Sequence, residues 1–478
     1  MQLTRHYRSR NMLRLHNTLT RKVEDFKPIE AGKVNLFVCG PTVYDLSHLG
    51  HAKTYVQVDV LARVIRANDY ELFYLQNITD IDDKIIIRSA EKNVDWQKLR
   101  TNFQDEYIKD MTSLNNTSVT EYARATDYID DIISQVTRLI DNGHAYVIEN
   151  DGIYFEISTF PDYGKLSGRT DVKKDDAQTR IDESEDKRGW NDFCLWKFSK
   201  PNEPVWDAPF GAGRPGWHIE DTAITEHFFG PQYDVHGGAV DLIFPHHEAE
   251  ITQMESISGK VPMVGYWVHT GFLTIDSEKM AKSAGNFYTI REVIEKGYDP
   301  LAIRLFMLQS HYRSPINFTF ENLDAAKNRL DNWRNSAALR HQTHDTLQDD
   351  DKKSSDDRSV SLYATSQALL EALNDDLNTP AALTIIDEAF SRLASSQLQD
   401  IHQHALVELL ETIDATLGID LLSSTPDITD DAKRIILARQ HARNNQDFKE
   451  SDKLRTDLQK LGIALRDTPH GSIWEYLV

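Results

Sequence analysis

Two pairs of basic residues have a spacing that suits the binding of a phosphate chain. His48 and His51 lie three residues apart in HLGH, which places both imidazoles on one face of a first helical turn, beside Gly50. Lys279 and Lys282 belong to the segment KMAKS far downstream. Imidazoles at a helix N-terminus, together with a lysine-rich loop, can hold a triphosphate and neutralise the pyrophosphate that leaves. Adenylate chemistry is therefore the first hypothesis.

Each pair alone is weak evidence. A histidine at the start of a helix is often structural, and a lysine-rich loop is usually solvated surface. The occurrence of both in one chain, with Gly40 and Pro41 after an apolar segment, favours the functional interpretation.

The elements that must position these residues can be predicted from hydrophobic periodicity. Lys33 to Cys39 is an apolar run that ends at a Gly-Pro pair and predicts a buried strand. From Gly50 onward, apolar residues recur every four positions, which predicts a helix, and residues 71–75 predict a second strand. This order is typical of a right-handed parallel unit, whose ligands lie beyond the carboxyl ends of the strands.

A length of 478 residues exceeds what one hydrophobic core supports, so several domains are expected. Gly, Pro and Trp clusters interrupt the nucleotide-binding pattern after residue 120, and a segment near residue 350 has almost no apolar content. The predicted division is 1–120 and 263–339 for two halves of the catalytic fold, 121–262 for an inserted α+β region, 340–359 for a linker, 360–425 for a helical bundle and 426–478 for a small C-terminal domain.

Charge and cysteine content limit the partners and the compartment. The net charge of -22 argues against indiscriminate binding to nucleic acid, although residues 430–466 carry nine basic and six acidic side chains. That segment is either a solvated helical face or a local nucleic-acid surface. Only Cys39 and Cys194 are present, which excludes a disulfide framework and favours a cytoplasmic protein. No apolar run reaches the roughly 20 residues of a membrane span.

The motifs resemble those of class I aminoacyl-tRNA synthetases, with HLGH in place of HIGH and KMAKS in place of KMSKS. Further segments resemble cysteinyl-tRNA synthetases over nearly the whole chain: FVCGPTVYD, NITDIDDKI, RPGWHIE, FPHHEAE and GIALRDTPHGSIW. The resemblance implies a class I Rossmann-like fold followed by a helical bundle and an anticodon-binding domain. It also implies activation of L-cysteine by ATP with Mg²⁺, transfer of the cysteinyl group to the 3′ end of tRNA(Cys), and a monomeric state.

The same resemblance implies a zinc ion that holds the substrate thiolate. The positions that match the family's ligands are Cys39, Asp221, His246 and Glu250. Asp221 departs from the pattern, because the family usually has cysteine there. The substitution keeps one negative charge and exchanges a soft donor for a hard one, and carboxylates are known zinc ligands. We therefore expect zinc binding with an atypical ligand set.

Other site residues are implied by position in the family's motifs. Those expected at the amino acid are Gly40, Thr42, Thr79 and Trp217, and those expected at the adenosine are His236, Gly237, Gly238 and Asp241. Trp217 could instead be a core residue. Trp474 is either a base-stacking residue of the anticodon-binding domain or part of a small core.

Two alternative functions are compatible with the same catalytic motifs. One is a cysteine ligase that acts on an amino sugar, as in mycothiol synthesis, but that family looks shorter at its C-terminus. The other is a non-catalytic tRNA-binding paralogue, which Asp221 suggests and which intact HLGH and KMAKS segments disfavour. A zinc hydrolase is excluded because HExxH spacing is absent.

Overall fold

The computed structural model describes residues 12–169, 184, 186–280, 285–342, 357–396, 398–468 and 471–477. Its strands are β1 (Arg14–Asn17), β2 (Lys22–Asp25), β3 (Lys33–Val38), β4 (Glu71–Ile78), β5 (Glu121–Arg124), β6 (Ala145–Ile148), β7 (Gly152–Phe155), β8 (Phe193–Phe198), β9 (Gly213–Pro215), β10 (Tyr233–Ala239), β11 (Val264–Thr270), β12 (Leu273–Ile275), β13 (Glu278–Lys279), β14 (Ile316–Phe318), β15 (Ile463–Thr468) and β16 (Gly471–Tyr476). Its α-helices are α1 (Leu49–Ala67), α2 (Asp83–Lys92), α3 (Trp96–Ser113), α4 (Ile129–Asp141), α5 (Ile219–Phe229), α6 (Glu248–Ser258), α7 (Ile290–Glu295), α8 (Pro300–Leu308), α9 (Phe320–Ala338), α10 (Asp357–Asn374), α11 (Thr379–Ser395), α12 (Gln403–Leu417), α13 (Asp430–Asn444) and α14 (Phe448–Lys460).

A five-stranded parallel sheet forms the centre of the catalytic region, in the order β11-β10-β3-β4-β5. Leu36 of β3 pairs with Val235 on one side and Tyr74 on the other, and all three side chains are buried. Helices cover both faces, which explains why these strands are apolar without alternation. The predicted α/β fold is confirmed, and the carboxyl ends of β3 and β10 meet at one edge.

The predicted boundaries 121–262 describe a single inserted region, but the structure divides this segment between two sheets. Two of its strands, β5 and β10, belong to the central parallel sheet. The part that stands apart is a four-stranded antiparallel sheet in the order β6-β7-β8-β9, which packs against α4 through Ile132, Phe155 and Trp196. Cys194 is buried on β8 beside Tyr154, which pairs in turn with Tyr146, and it fills space as a small apolar residue.

The C-terminal half consists of helices and one small hairpin. Helix α10 packs on both α11 and α12, and α12 also packs on α1 of the catalytic region. Helices α13 and α14 pack with the antiparallel pair β15-β16 around Leu458 and Trp474. The indole of Trp474 is 5% exposed, so the structure gives it the core position and not the base-stacking position.

The predicted linker 340–359 begins with residues that are packed against the C-terminal part of the chain. Arg340 is buried and donates to the carbonyl oxygens of Leu422 and Thr425 at 2.8 and 2.7 Å. The side-chain amide of Gln342 donates to the Trp474 carbonyl oxygen at 3.0 Å. The backbone amide of Trp474 donates to Gln342 Oε1 at 2.9 Å. Residues 357–359 begin α10, and residues 343–356 lie outside the described part of the chain.

A buried arginine joins the catalytic region to the helical region. Arg304 of α8 is fully buried and donates to Asp59 of α1 at 2.6 Å. The same guanidinium donates to the carbonyl oxygens of Leu114 and Leu417 at 3.0 and 2.7 Å, and to the Asn116 side chain at 2.7 Å. One side chain therefore satisfies acceptors at the ends of α3 and α12.

We expect Arg304→Met to lower the free energy of unfolding by about 3 to 5 kcal/mol, because it leaves several buried acceptors without a donor. Urea unfolding at neutral pH measures the change. The control is Arg434→Met, which removes an exposed ion pair with Asp431 and should cost less than about 0.5 kcal/mol. Equal losses in the two variants would contradict this role for Arg304.

A buried lysine lies on α1. The Lys53 side chain is 1% exposed, and its ammonium donates to the Ser310 hydroxyl at 3.1 Å. No carboxylate within 4.0 Å of it is found among the described residues. Burial lowers the pKa of Lys53 from 10.5 to about 7.

The shifted pKa predicts a pH-dependent stability. Between about pH 7 and pH 10 the unfolded chain binds a proton at this lysine that the folded chain has released, so the free energy of unfolding rises with pH. Lys53→Met removes that contribution and should reduce the rise, by at most about 1.4 kcal/mol per pH unit. Urea unfolding at pH 7, 8 and 9 compares the slopes. Lys98→Met, at an exposed position of α3, should keep the slope of the original chain, and an unchanged slope in Lys53→Met would refute the assignment.

Candidate active site and metal cluster

The HLGH segment forms the N-terminus of α1. His48 is the N-cap residue, and its Nδ1 accepts from the amides of Gly50 and His51 at 3.1 and 3.3 Å. The amide of His48 in turn donates to Nδ1 of His51 at 3.4 Å, and the two rings stack with centroids 3.8 Å apart. Since Nδ1 accepts in both neutral rings, both carry their proton on Nε2. Each imidazole can therefore donate to an oxygen of a bound phosphate.

The first two residues of the KMAKS segment, Lys279 and Met280, precede the undescribed part of it, and Met280 approaches the same helix end. Lys279 is exposed at the end of the hairpin formed by β12 and β13, and Met280 follows it. A Cβ atom placed on Gly50 would lie 3.4 Å from the Met280 methyl group and 2.9 Å from the His48 ring. Gly50 therefore provides the space in which the two motifs meet. Lys282 lies outside the described residues.

Four potential metal ligands converge behind this helix end. Cys39 follows β3, Asp221 is in the first turn of α5, His246 lies in the turn before α6, and Glu250 is in the first turn of α6. One donor atom from each lies within 4.8 Å of every other, and all four side chains are buried. His246 Nε2 is 3.0 Å from Asp221 Oδ2 and 2.9 Å from Glu250 Oε1. The structure thus brings together the four residues that the sequence predicted; we call them the outer quartet.

The electrostatics of the outer quartet favour a cation. Burial, reinforced by Glu250 and Asp221, raises the pKa of the Cys39 thiol well above its usual value. Burial also raises the pKa of Glu250 to about 8, against the attraction of His246. Burial lowers the pKa of His246, but Glu250 and Asp221 together reverse this and raise it to about 10. Without a metal, the cluster therefore retains protons that a divalent cation would displace.

The donor set also fits a metal chemically. Glu250 Oε2 is buried without a hydrogen-bond partner among the described residues, which is a costly state for a carboxylate oxygen. The Asn77 amide donates to Asp221 Oδ1 at 2.5 Å and fixes that carboxylate from behind. Sulfur, imidazole nitrogen and carboxylate oxygen are the donors that zinc takes in proteins. The residues present therefore fit the zinc ion that the sequence predicts.

Two of the residues expected at the amino acid, Gly40 and Trp217, adjoin members of the outer quartet. The Gly40 amide donates to Asn77 Oδ1 at 2.5 Å, and a Cβ at Gly40 would lie 1.7 Å from the Asn77 carbonyl oxygen. Thr42 and Thr79 pair across the loops that follow β3 and β4. The Trp217 ring stacks on His246, with centroids 4.4 Å apart, so this indole lies against the outer quartet.

The expected adenosine contacts need a correction at His236. This side chain is completely buried, with Nε2 3.3 Å from Cys39 Sγ and Nδ1 2.7 Å from the Tyr233 hydroxyl. It faces the metal cluster, so it is not available to a nucleoside. Gly237 and Gly238 are buried in β10, whereas Asp241 is partly exposed just beyond it.

Sequence reasoning missed several residues of the cluster. His247 Nε2 lies 3.1 Å from Cys39 Sγ, and His218 Nδ1 lies 2.8 Å from His246 Nδ1. His269 lies behind His247, with the two ring nitrogens 2.8 Å apart. The one signal in the sequence for His247 was its position next to His246 in FPHHEAE. Two neighbouring side chains can both point into the protein only at an irregular turn. The structure has that turn at Ile243–His247.

The parallel sheet, the HLGH helix end and the adjoining KMAKS hairpin define a class I aminoacyl-tRNA synthetase. Solved structures support this fold. The chain is similar to methionyl-tRNA synthetase of Mycobacterium tuberculosis bound by methionyl-adenylate, with a TM-score of 0.59, 14% identity, and coverage of 81% of this chain and 92% of that one. It is also similar to a putative arginyl-tRNA synthetase of Campylobacter jejuni, with a TM-score of 0.56, 14% identity, and coverage of 81% and 92%.

Sequence comparison identifies the family within that class. The family model described as the catalytic domain of class I (C) tRNA synthetases matches residues 25–328, and the cysteinyl-tRNA ligase anticodon-binding domain matches residues 425–474. A relative from Thermoplasma acidophilum, named Cysteine--tRNA ligase, is 41% identical over 97% of this chain and 100% of its own length. One of the same name from Laribacter hongkongensis is 42% identical over 97% and 99%. The chain belongs to the cysteinyl-tRNA synthetase family.

No helix among the described residues is both long enough and apolar enough to cross a membrane.

Proposed function

We propose that this protein activates L-cysteine with ATP to give cysteinyl-adenylate and transfers the cysteinyl group to the 3′ end of tRNA(Cys). The observation that carries the proposal is the outer quartet, whose Cys39 lies on the same strand-to-helix connection as His48. A thiol-binding cluster and a phosphate-binding helix end are thereby held next to each other. Membership of the cysteinyl-tRNA synthetase family supports the same activity.

The chain's part in adenylation is positioning and charge stabilisation. The cysteine carboxylate attacks the α-phosphate of ATP, and pyrophosphate leaves with the bonding electrons. His48 and His51 donate from Nε2 to phosphate oxygens, and the amide groups at the start of α1 add positive potential. Lys279 and Lys282 neutralise the departing pyrophosphate, and Mg²⁺ accompanies the ATP.

In the proposal, Cys39, Asp221, His246 and Glu250 hold a zinc ion. When bound, this ion supplies a direct bond to the substrate thiolate, which a serine hydroxyl cannot match because it is hard to deprotonate. Trp217 covers His246, and Asn77 holds the Asp221 carboxylate in one orientation. Each tenfold preference for cysteine over serine corresponds to about 1.4 kcal/mol.

The C-terminal part of the proposal concerns tRNA. The match to an anticodon-binding domain at residues 425–474 favours tRNA over an amino sugar as the acceptor. The nine basic residues between 430 and 466 lie mainly on α13 and α14, and Arg434 and Lys449 are exposed. The proposal includes a monomer in the cytoplasm, where the two buried cysteines would remain as thiols.

The decisive test is a pair of assays on the purified chain. We expect cysteine-dependent exchange of labelled pyrophosphate into ATP, and charging of tRNA(Cys), both with strong rejection of serine. An amino sugar supplied in place of tRNA should accept no cysteine. Exchange without tRNA charging would contradict the proposed acceptor, and the absence of exchange with zinc supplied would contradict the proposed activity.

The capping role of His48 allows its catalytic role to be tested separately. Asparagine is a good N-cap residue, so His48→Asn should keep the helix start and thermal stability, yet reduce pyrophosphate exchange by at least about 100-fold through loss of the phosphate donor. His48→Ala should show the same loss and, in addition, about 1 kcal/mol lower unfolding free energy. Exchange kinetics and urea unfolding of both variants give the comparison. Full activity in His48→Asn would show that the imidazole only caps α1.

A further inference from the structure

A surface cleft of about 340 Å³ lies between the catalytic region and the inserted antiparallel sheet. One wall is the C-terminal end of α2 with the turn to α3, and the other wall is the loop before β9. We call it the α2–α3 cleft. The adenylation chemistry described above uses none of the residues in its lining, which includes Ser89, Asn93, Val94, Trp96, Asn202 and Pro204.

Ion pairs hold the two walls of the α2–α3 cleft in place. Asp83, in the first turn of α2, pairs with Lys197 of β8 at 2.9 Å and also with Arg214 of β9. The Arg214 side chain is buried, and its Nε donates at 3.1 Å to Glu203, which belongs to the loop that forms the second wall. The cleft is therefore preformed, and a ligand can bind in it with little reordering of the walls.

The Trp96 indole provides a fixed aromatic surface in the cleft. The guanidinium carbon of Arg100 lies 4.8 Å from the Trp96 ring centroid, and the Trp206 ring meets the indole edge-on, with centroids 6.2 Å apart. Arg100 is itself held by the buried carboxylate of Asp80 and donates to Thr126 Oγ1 at 2.5 Å. These neighbours leave Trp96 partly exposed, and it lines the cleft. An aromatic surface of this kind binds another planar group by stacking.

Two carboxamide residues line opposite walls of the cleft. Asn93 ends α2 in the left-handed conformation, with a φ of 50°, and Asn202 has a φ of 68° in the facing loop. Both residues are exposed. A carboxamide offers a donor and an acceptor side by side, which matches the donors and acceptors along the edge of a nucleobase. The cleft therefore suits a planar heterocycle with polar edges.

The cleft lies in a locally basic part of an acidic chain. Residues 84–100 carry five basic and two acidic side chains, whereas the whole chain has a net charge of -22. Lys92 and Lys98 are exposed, and they stand next to the cleft residues Asn93 and close to Trp96 in the sequence. A local excess of positive charge attracts a phosphate backbone. Positive charge beside a stacking surface is the combination by which proteins bind single-stranded nucleic acid.

The cleft also lies close to the HLGH segment. Arg88 of α2 is 3.5 Å from Asp45, which precedes His48 by three residues. From Arg88 to Asn93 the chain advances about 7.5 Å, at 1.5 Å per helical residue. A short single strand can therefore extend from the cleft to the helix end that is proposed to bind phosphate.

We propose that the α2–α3 cleft binds an unpaired base of the tRNA acceptor end, stacked on Trp96, a few nucleotides before the terminal adenosine. The inference rests on the proposed function for the identity of the nucleic acid. The tRNA has to present its terminal ribose hydroxyl to the cysteinyl-adenylate, so the preceding nucleotides cross the protein surface near the HLGH segment. A base held in the cleft aligns the end of that strand with the active site.

The first test measures the binding of tRNA(Cys) transcripts in which each unpaired nucleotide before the terminal adenosine is made abasic in turn. At one of these positions the change should weaken binding to the unaltered protein at least about fivefold, because a stacked base is lost. Trp96→Leu should bind the intact tRNA more weakly by a similar factor, and the abasic change at that position should then have no further effect. An abasic effect of the same size in both proteins would overturn the proposal, and so would full affinity in Trp96→Leu.

The matched control is Trp190→Leu. Trp190 is 44% exposed, precedes β8 of the inserted sheet and is not among the residues that line the cleft. We expect this variant to bind the intact and the abasic transcripts as the unaltered protein does. Equal weakening in Trp190→Leu and Trp96→Leu would show that the effect is not specific to the cleft and would overturn the proposal.

The second test uses the unaltered protein, so it still decides if Trp96→Leu does not fold. A 5-iodopyrimidine nucleotide at the responding position of tRNA(Cys) should cross-link on irradiation to the aromatic ring stacked on it, and mass spectrometry should locate the link at Trp96. A link only to residues outside the cleft, or no link, would overturn the proposal. Pyrophosphate exchange is measured separately. A link to Trp96 in a protein without exchange would sustain this inference and refute the proposed function, whereas exchange and charging without such a link would refute this inference alone.

Discussion

Three acidic groups are buried within reach of one another, and the rest of the site depends on how their charge is compensated. Cys39, Asp221 and Glu250 come from distant parts of the sequence and meet where water does not screen them. Charges in such a place must be neutralised by protons or by a cation, since the loss of hydration otherwise exceeds any gain. The surrounding imidazoles and the fixed amide of Asn77 complete a cluster of donors that suits a metal ion.

The same strand that leads to Cys39 also leads into the turn that carries the HLGH residues. The backbone between β3 and α1 is held from both sides, because the Tyr55 hydroxyl of α1 donates to the Cys39 carbonyl at 3.2 Å. The amide of Val43 donates to the Thr79 carbonyl after β4 at 3.2 Å. Amino acid and nucleotide would therefore be bound by one connected piece of backbone, which keeps the reacting carboxylate and phosphate in register.

Much of this arrangement could be predicted because it depends on local pattern. Three patterns depend only on residues close in sequence: the apolar run at 33–38, the four-residue period of α1, and the i,i+4 spacing of His246 and Glu250. The orientation of His236 could not be predicted in this way. All seven residues of β10 except the last are buried, so polarity does not show which side chain faces the outer quartet.

Long-range hydrogen bonds explain the other differences. Arg340 lies in a polar segment whose composition predicts a linker. Its hydrogen-bond acceptors, the carbonyl oxygens of Leu422 and Thr425, are more than eighty residues away in the sequence. The Trp474 indole resembles an exposed recognition residue in sequence, yet the pairing of its backbone with Gln342 draws it into a core. No local periodicity carries information about partners at such separations.

The placement of the two cysteines has a practical consequence for studying motion in this enzyme. Cys39 and Cys194 are the only thiols in the chain, and both side chains are enclosed by protein. A maleimide dye should thus react with neither under native conditions. A single cysteine introduced on the surface near Lys279 would accept one fluorophore at a defined place, without prior removal of native thiols.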